Sequence, residues 1–450
     1  MSGSLVRRAK VALVAAALLG ALSVLPGGPA TGPVGAAGTA HAADRVDGAA
    51  DRVDGAPRAA GAPDRGPWRG GWAAAPQRPT EVFGKNWSVG GFARQTVRQV
   101  VRISTGGQQV RIKLSNRYGT APLVLAGATV ARTDRGAAVR SGSVRRLTFG
   151  HRESATVGAG GELLSDGAGL PVRPLESVTV TLYFHAPTGP TTFHAKATAT
   201  SYRAGGDHRA DVGAAAFTET STSWYYLTGV EVAGGAGARR DAVVAFGDSI
   251  TDGYGSTVDA DRRYPDVLAE RCVAAGRPRG ILNEGITGNQ LTRTTPDFGE
   301  KAVDRFSKDA LNDPHVGTVI LLEGINDIGM NGPTARPGAP TPAVSVQQLI
   351  AAQRELIRQA HRKGVKVIGA TLTPFKGAAY YTERGEATRV ALNRWMRTSG
   401  AFDGVVDLDR AVADPADRTR LAAAYDSGDH LHPSDAGYRA LAGALDLDAL

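Results

Sequence analysis

Two hydrophobic rhythms divide the chain. From Trp72 to Val232, apolar and polar residues alternate in short runs. Val97-Arg98-Gln99-Val100-Val101-Arg102-Ile103, Val110-Arg111-Ile112-Lys113-Leu114 and Val178-Thr179-Val180-Thr181-Leu182-Tyr183-Phe184 carry it most clearly. A period of two puts alternate side chains on one face, so each run predicts a half-buried strand. Further candidates lie at 123–131, 143–149, 193–201 and 224–232, with Gly, Pro and Asn between them. About eight short strands with turn punctuation predict an all-β sandwich or jelly-roll-like domain over 72–233.

The rhythm changes after Gly234-Gly235-Ala236-Gly237, where a linker is read at 234–240. Continuous apolar runs near 242–247, 280–283, 317–323, 365–371 and 404–408 predict buried strands. They alternate with helical patterns near 262–275, 300–311, 345–363, 384–398 and 434–445. In 345–363, Leu349, Ile350, Leu356, Ile357 and Ala360 form one stripe. The alternation predicts an α/β domain over 241–450, a parallel sheet with helices on both faces.

The amino-terminal stretch belongs to neither rhythm. Arg7, Arg8 and Lys10 precede the apolar run Val11–Leu25, and small residues follow to Ala40-His41-Ala42. This order reads as a secretory signal peptide, 1–42, and the run is short beside the roughly 20 residues of a membrane span. Residues 43–71 begin with Ala-Asp-Arg-Val-Asp-Gly-Ala written twice, at 43–49 and 50–56, and no hydrophobic face can form. They are read as a flexible linker. An exported, monomeric protein is expected.

Charge and cysteine content narrow the picture. The net charge is +9, the basic excess lies in 80–240, and 241–450 is net acidic. No Lys/Arg block exceeds two residues and none is interleaved with aromatics, which argues against nucleic acid. An anionic cell-envelope surface suits the basic half better. Cys272 is the single cysteine, so no intrachain disulfide can form.

The candidate chemistry gathers at one sheet edge. The apolar run Val243–Phe246 stops at Gly247-Asp248-Ser249, a polar turn at the carboxyl end of a predicted parallel strand. Open α/β sheets place their sites there. Ser249 is the nucleophile candidate, against a plain reading as a capping serine. Asn283-Glu284-Gly285-Ile286-Thr287-Gly288 and Glu323-Gly324-Ile325-Asn326-Asp327 each follow an apolar run, and Asp429-His430-Leu431-His432-Pro433 precedes the last helix. A serine hydroxyl needs a base, and the base an orienting carboxylate. His432 suits the first role and Asp429 the second. Asp248 and Asp327 are read as loop-stabilising acceptors. Thr251 stands where a G-x-S-x-G elbow would need glycine.

Together these blocks resemble the SGNH hydrolase (GDSL-type esterase/lipase) superfamily. Ser249, Gly288, Asn326 and His432 match its four naming residues in order, Asp429 matches its Asp-x-x-His block, and Ile250 replaces the usual Leu. The resemblance covers 241–450. With Leu114-Ser115-Asn116-Arg117-Tyr118-Gly119 as a front-domain hallmark, the chain is similar more narrowly to secreted actinobacterial two-domain members. The resemblance implies a three-layer α/β/α, flavodoxin-like domain with five strands. It also implies an oxyanion hole of Ser249 N–H, Gly288 N–H and the Asn326 amide.

The expected activity is hydrolysis of carboxylic esters through an acyl-enzyme, without metal or organic cofactor. His430 and His432 as a metal pair would lack a third ligand of suitable spacing. Lipid, aryl and simple esters stay open as substrates. O-acetyl-polysaccharide deacetylation is one alternative, and an envelope-binding protein working through its β-domain is another. The loops Met330–Pro342 and Phe375–Tyr381 are expected to line the substrate pocket. Tyr380 and Tyr381 either stack on a sugar or aryl group or pack at the domain interface. His185, His194 and His208 are scattered and read as strand packing or solvent. With no nucleophile–base set, the β-domain is read as accessory.

Overall fold

The structure, a computed structural model, describes residues 68–234, 240–331 and 342–450. The signal-peptide reading, most of the 43–71 linker and the centre of the Met330–Pro342 loop lie outside them.

The first half is antiparallel β throughout. One sheet runs Arg69–Ala73, Leu227–Ala233, Gly107–Ser115 and Ala168–Val172, with Glu162–Leu164 also paired to Gly107–Ser115. The other is built on Gln95–Arg102, Ser177–Phe184 and Gly127–Arg135 and extended by shorter strands. Val101 faces Val178 and Val97 faces Leu182 in register. The alternating positions Val97, Ile112, Val130, Val180, Leu182 and Val230 are buried in one shared core. Burial of that alternate set is what makes the pattern specify strand and register together. The sequence pattern missed several short strands, among them Ala155–Val157 and Glu219–Ser221. Each of these two has three residues, too few for alternation to show, and the five-residue strand Ala168–Val172 was missed as well.

The second half is a parallel five-stranded sheet in the order Ile281–Gly285, Ala242–Gly247, Val316–Leu322, Lys366–Ala370 and Gly404–Val406. In chain order this is 2-1-3-4-5, the flavodoxin-like arrangement. Its long helices are Tyr264–Ala274, Ala302–Asp309, Val346–Arg362, Glu383–Thr398 and Asp435–Ala444, each within a few residues of its expected place. Val346–Arg362 buries Leu349, Leu356, Ile357 and Ala360 and starts on a capping box of Ser345 and Gln348. Cys272 is buried in the sheet's core. Among the described residues no helix is long and apolar enough to cross a membrane.

The two halves meet along a polar seam. Arg69 pairs with Asp241 at 2.6 Å, Arg102 with Glu270 at 2.9 Å and Arg117 with Asp309 at 2.6 Å. Asn116 ties its own loop by donating to the carbonyls of Ala121, Val157 and Gly158, while Tyr118 donates to Glu300 across the seam. The Leu114–Gly119 stretch is therefore an interface element.

Candidate active site

The carboxyl ends of three neighbouring strands supply three of the candidate residues. The Ala242–Gly247 strand ends against Leu322, whose carbonyl leaves no room for a side chain: a Cβ on Gly247 would lie 2.1 Å from it. Asp248 then caps a single helical turn, Ser249–Asp252, accepting the Ile250 N–H at 3.0 Å. This turn is too short to carry a hydrophobic period, so the sequence pattern placed the first helix well after Ser249. Gly288 follows the Ile281–Gly285 strand with φ 83°, and a Cβ there would lie 2.4 Å from the Phe298 ring. Glycine alone fits both constraints. Asn326 follows the Val316–Leu322 strand, in the short helix Ile325–Gly329.

The fourth element arrives from the chain's far end. His432 Nε2 lies 2.8 Å from Ser249 Oγ, and His432 Nδ1 lies 2.6 Å from Asp429 Oδ2. A carboxylate only accepts, so Nδ1 carries the proton and Nε2 accepts the serine hydroxyl. Asp429 also accepts the N–H groups of Leu431 and His432 at 3.0 and 2.8 Å, which fixes the loop before Ser434 caps the last helix. Burial raises the Asp429 carboxyl, but the His432 hydrogen bond and charge and the backbone donors outweigh it and bring it down to about 2. Ser249 and His432 are 3 % and 8 % exposed, so this hydrogen-bond chain works largely out of water.

The other candidate residues carry donors that are not used within the fold. Among the described residues, the amide N–H groups of Ser249 and Gly288 have no hydrogen-bond partner. Asn326 Nδ2 donates one hydrogen to Asn289 O at 3.0 Å and keeps its second, while its Oδ1 accepts from Tyr380 OH at 3.3 Å. Tyr380 thus touches Asn326. Tyr381 stands edge-on to Phe375 at 5.1 Å between ring centroids. Neither tyrosine has a ring partner from the strand-rich half among the described residues.

Sequence reasoning missed Arg305. It is 1 % exposed and donates to Asn289 Oδ1, Glu284 O and Gly247 O at 2.8–2.9 Å, clamping the Gly288 loop to the strand that ends at the nucleophile. A lone arginine on a polar-looking helix carries no signal of this in the sequence. Asp327 accepts the N–H of Leu291 and the N–H and hydroxyl of Thr292, as a loop-stabilising acceptor would. Beneath the site, Asp248 Oδ2 and both Glu323 oxygens are buried without partners. Burial is the main cause that holds both carboxyls above their ordinary range, helped by the Asp327 charge at Asp248 and by the Asp248 and Asp327 charges at Glu323. His430 turns away onto Asp426 at 2.6 Å, and no cluster of three or more candidate metal ligands occurs among the described residues.

Residues 245–440 match the GDSL-like Lipase/Acylhydrolase family, and the C-terminal half carries a domain of that kind. No curated protein sequence matches the chain. Among solved structures, the chain is similar to a variant of an acetyl xylan esterase from Geobacillus stearothermophilus. Identity is 20 % and the TM-score 0.36, over 46 % of this chain and 93 % of the other. It is similar also to a GDSL-like lipase from Bacteroides thetaiotaomicron, at 19 % identity and TM-score 0.32 over 45 % and 85 % of the two chains.

Proposed function

We propose that the protein is an exported serine hydrolase that cleaves carboxylic esters through an acyl-enzyme. The observation that carries this reading is the unbroken chain from Ser249 Oγ through His432 to Asp429, at 2.8 and 2.6 Å. Ser249 Oγ attacks the ester carbonyl while His432 Nε2 takes its proton. Asp429 stabilises the imidazolium so formed. The tetrahedral oxyanion receives the N–H groups of Ser249 and Gly288 and the free hydrogen of Asn326 Nδ2. Collapse expels the alcohol, which takes the proton back from His432. Water then repeats the sequence on the acyl-enzyme and frees the acid.

In this reading residues 1–42 direct export, 43–71 tether, 72–233 form the strand-rich unit, 234–240 link, and 241–450 carry the chemistry. The basic excess of the strand-rich unit suits an anionic envelope surface, which sedimentation with purified cell wall would test. Ser249→Ala should abolish hydrolysis of a short nitrophenyl ester while leaving the Tm within about a degree. Retained turnover would sink the assignment. EDTA should leave the rate unchanged, and a loss restored by zinc would return His430 and His432 to a metal reading. The ester class is read by comparing graded chain lengths with acetylated xylan and acetylated peptidoglycan.

A further inference from the structure

The strand-rich half reaches the candidate site at an internal point. His194, in the two-residue strand Phe193–His194, is 4 % exposed although it belongs to a different half from Ser249. Its Nδ1 lies 2.9 Å from Ala75 O, and its Nε2 lies 3.0 Å from Asp252 Oδ1. Both neighbours are acceptors, so a proton on Nε2 makes the ring a donor to Asp252. Asp252 is 2 % exposed and closes the helical turn that begins at Ser249. Its other oxygen accepts the Thr287 N–H at 2.9 Å and the Thr287 hydroxyl at 2.6 Å. Thr287 immediately precedes Gly288. One carboxylate therefore joins the end of the nucleophile's turn to the Gly288 loop, and a histidine from the other half fixes that carboxylate.

The same loop is also braced from its far side. Phe83 packs on Phe298 at 5.9 Å between ring centroids, and Phe298 is the ring that lies against Gly288. Thr80 donates to Asp297 at 2.7 Å. Both sides of the Gly288 loop thus depend on the strand-rich half.

We propose that His194 is a positioning residue for the ester hydrolysis, acting through Asp252 and Thr287 to hold the Gly288 N–H where the oxyanion develops. The proposal rests on the serine-hydrolase reading above. A donor displaced by a fraction of an ångström still leaves the substrate room to bind but stabilises the transition state less, so the loss falls on kcat rather than KM.

The test uses the full chain. His194→Ala should lower kcat on a short nitrophenyl ester about 10- to 100-fold with KM within about twofold. His194→Gln, which keeps one donor toward Asp252, should recover most of the loss. Amide hydrogen exchange over residues 285–289 should accelerate in His194→Ala and return toward wild type in His194→Gln. If His194→Ala does not fold, Thr287→Val removes the hydroxyl link without touching the seam, and it should lower kcat several-fold with faster exchange in the same segment. Unchanged exchange, or faster exchange with kcat within twofold of wild type, overturns the proposal. Ser249→Ala run alongside separates the two ideas. If it equals wild type, or if wild type cleaves no ester, the serine-hydrolase reading falls, and with it the role in hydrolysis assigned to His194. Exchange alone then decides whether His194 holds the loop.

Discussion

Asn326 illustrates how much of the site depends on a side chain's second partner. Tyr380 OH and Asn289 O fix both ends of its amide, so one N–H points in a set direction. Asn326→Ala should lower kcat by about 100-fold, since one oxyanion donor is worth ~3 kcal/mol. Tyr380→Phe leaves the donor but frees its carbonyl end, and a several-fold loss in kcat is expected. A loss seen only in KM would instead make Tyr380 a substrate contact. The pH dependence follows from Asp429 and His432 together. Asp429, at about 2, is anionic well above that value, so it does not gate the reaction near neutral pH, and the base His432 does. Neutral imidazole is the active form, so kcat/KM should rise with pH through one ionisation and then level. Asp429→Asn should cost about 10³–10⁴-fold in kcat by losing the imidazolium's partner and its tautomer. The folded value lies below the ordinary 3.8, so the carboxylate's stabilisation is full above that value and fades as pH falls toward 2. The Tm difference between wild type and Asp429→Asn should accordingly shrink over that window. A constant difference would mean that the charge is not what matters.

Among the secondary-structure elements, the sequence read the long ones and missed the short ones that carry chemistry. The strands Ala242–Gly247 and Val316–Leu322 and the helix Val346–Arg362 were legible because burial of a whole run or stripe leaves a periodic mark. The turns Ser249–Asp252 and Ile325–Gly329 have four and five residues, and tertiary contacts rather than periodicity hold them. Gly288 was legible as a glycine in a loop, but its reason was not. Its φ of 83° and the Phe298 ring, 2.4 Å from where a Cβ would lie, both exclude a side chain. Gly288→Ala should cost about 1–2 kcal/mol in backbone strain alone, and should lose most activity because its own N–H moves. A stable, fully active Gly288→Ala would remove Gly288 from the oxyanion site.

For the whole molecule, the uneven charge acquires a structural meaning. Part of the strand-rich half's basic excess is spent on acids of the other half, through Arg69–Asp241, Arg102–Glu270 and Arg117–Asp309. Asp309 is 1 % exposed at its side chain and also faces Arg305 at 3.2 Å. Arg117→Ala therefore leaves it half-compensated, and a loss of about 2 kcal/mol in unfolding free energy is expected. Because Arg305 is also the clamp on Gly247 and Asn289, activity should fall with it. Parallel denaturant and kinetic measurements would check this, and unchanged stability would mean that the seam contributes little.

The sequence alone determined the two rhythms, the alternation of the long strands and helices in the second half, and the four blocks at the sheet edge. Each of these is written in local spacing, because a buried face repeats every two or every 3.6 residues along one element. The blocks' order also placed Ser249, Gly288, Asn326, Asp429 and His432 together as candidates, and the fold brings Ser249, His432 and Asp429 into one hydrogen-bond chain across 183 residues. What only the tertiary structure decided is how the halves share the site. His194 sits in a strand too short to stand out, and its partner Asp252 lies 58 residues away in the other fold. No period links them. A buried polar group must find its partner wherever the fold places one, so such pairs become visible only after both halves are folded against each other.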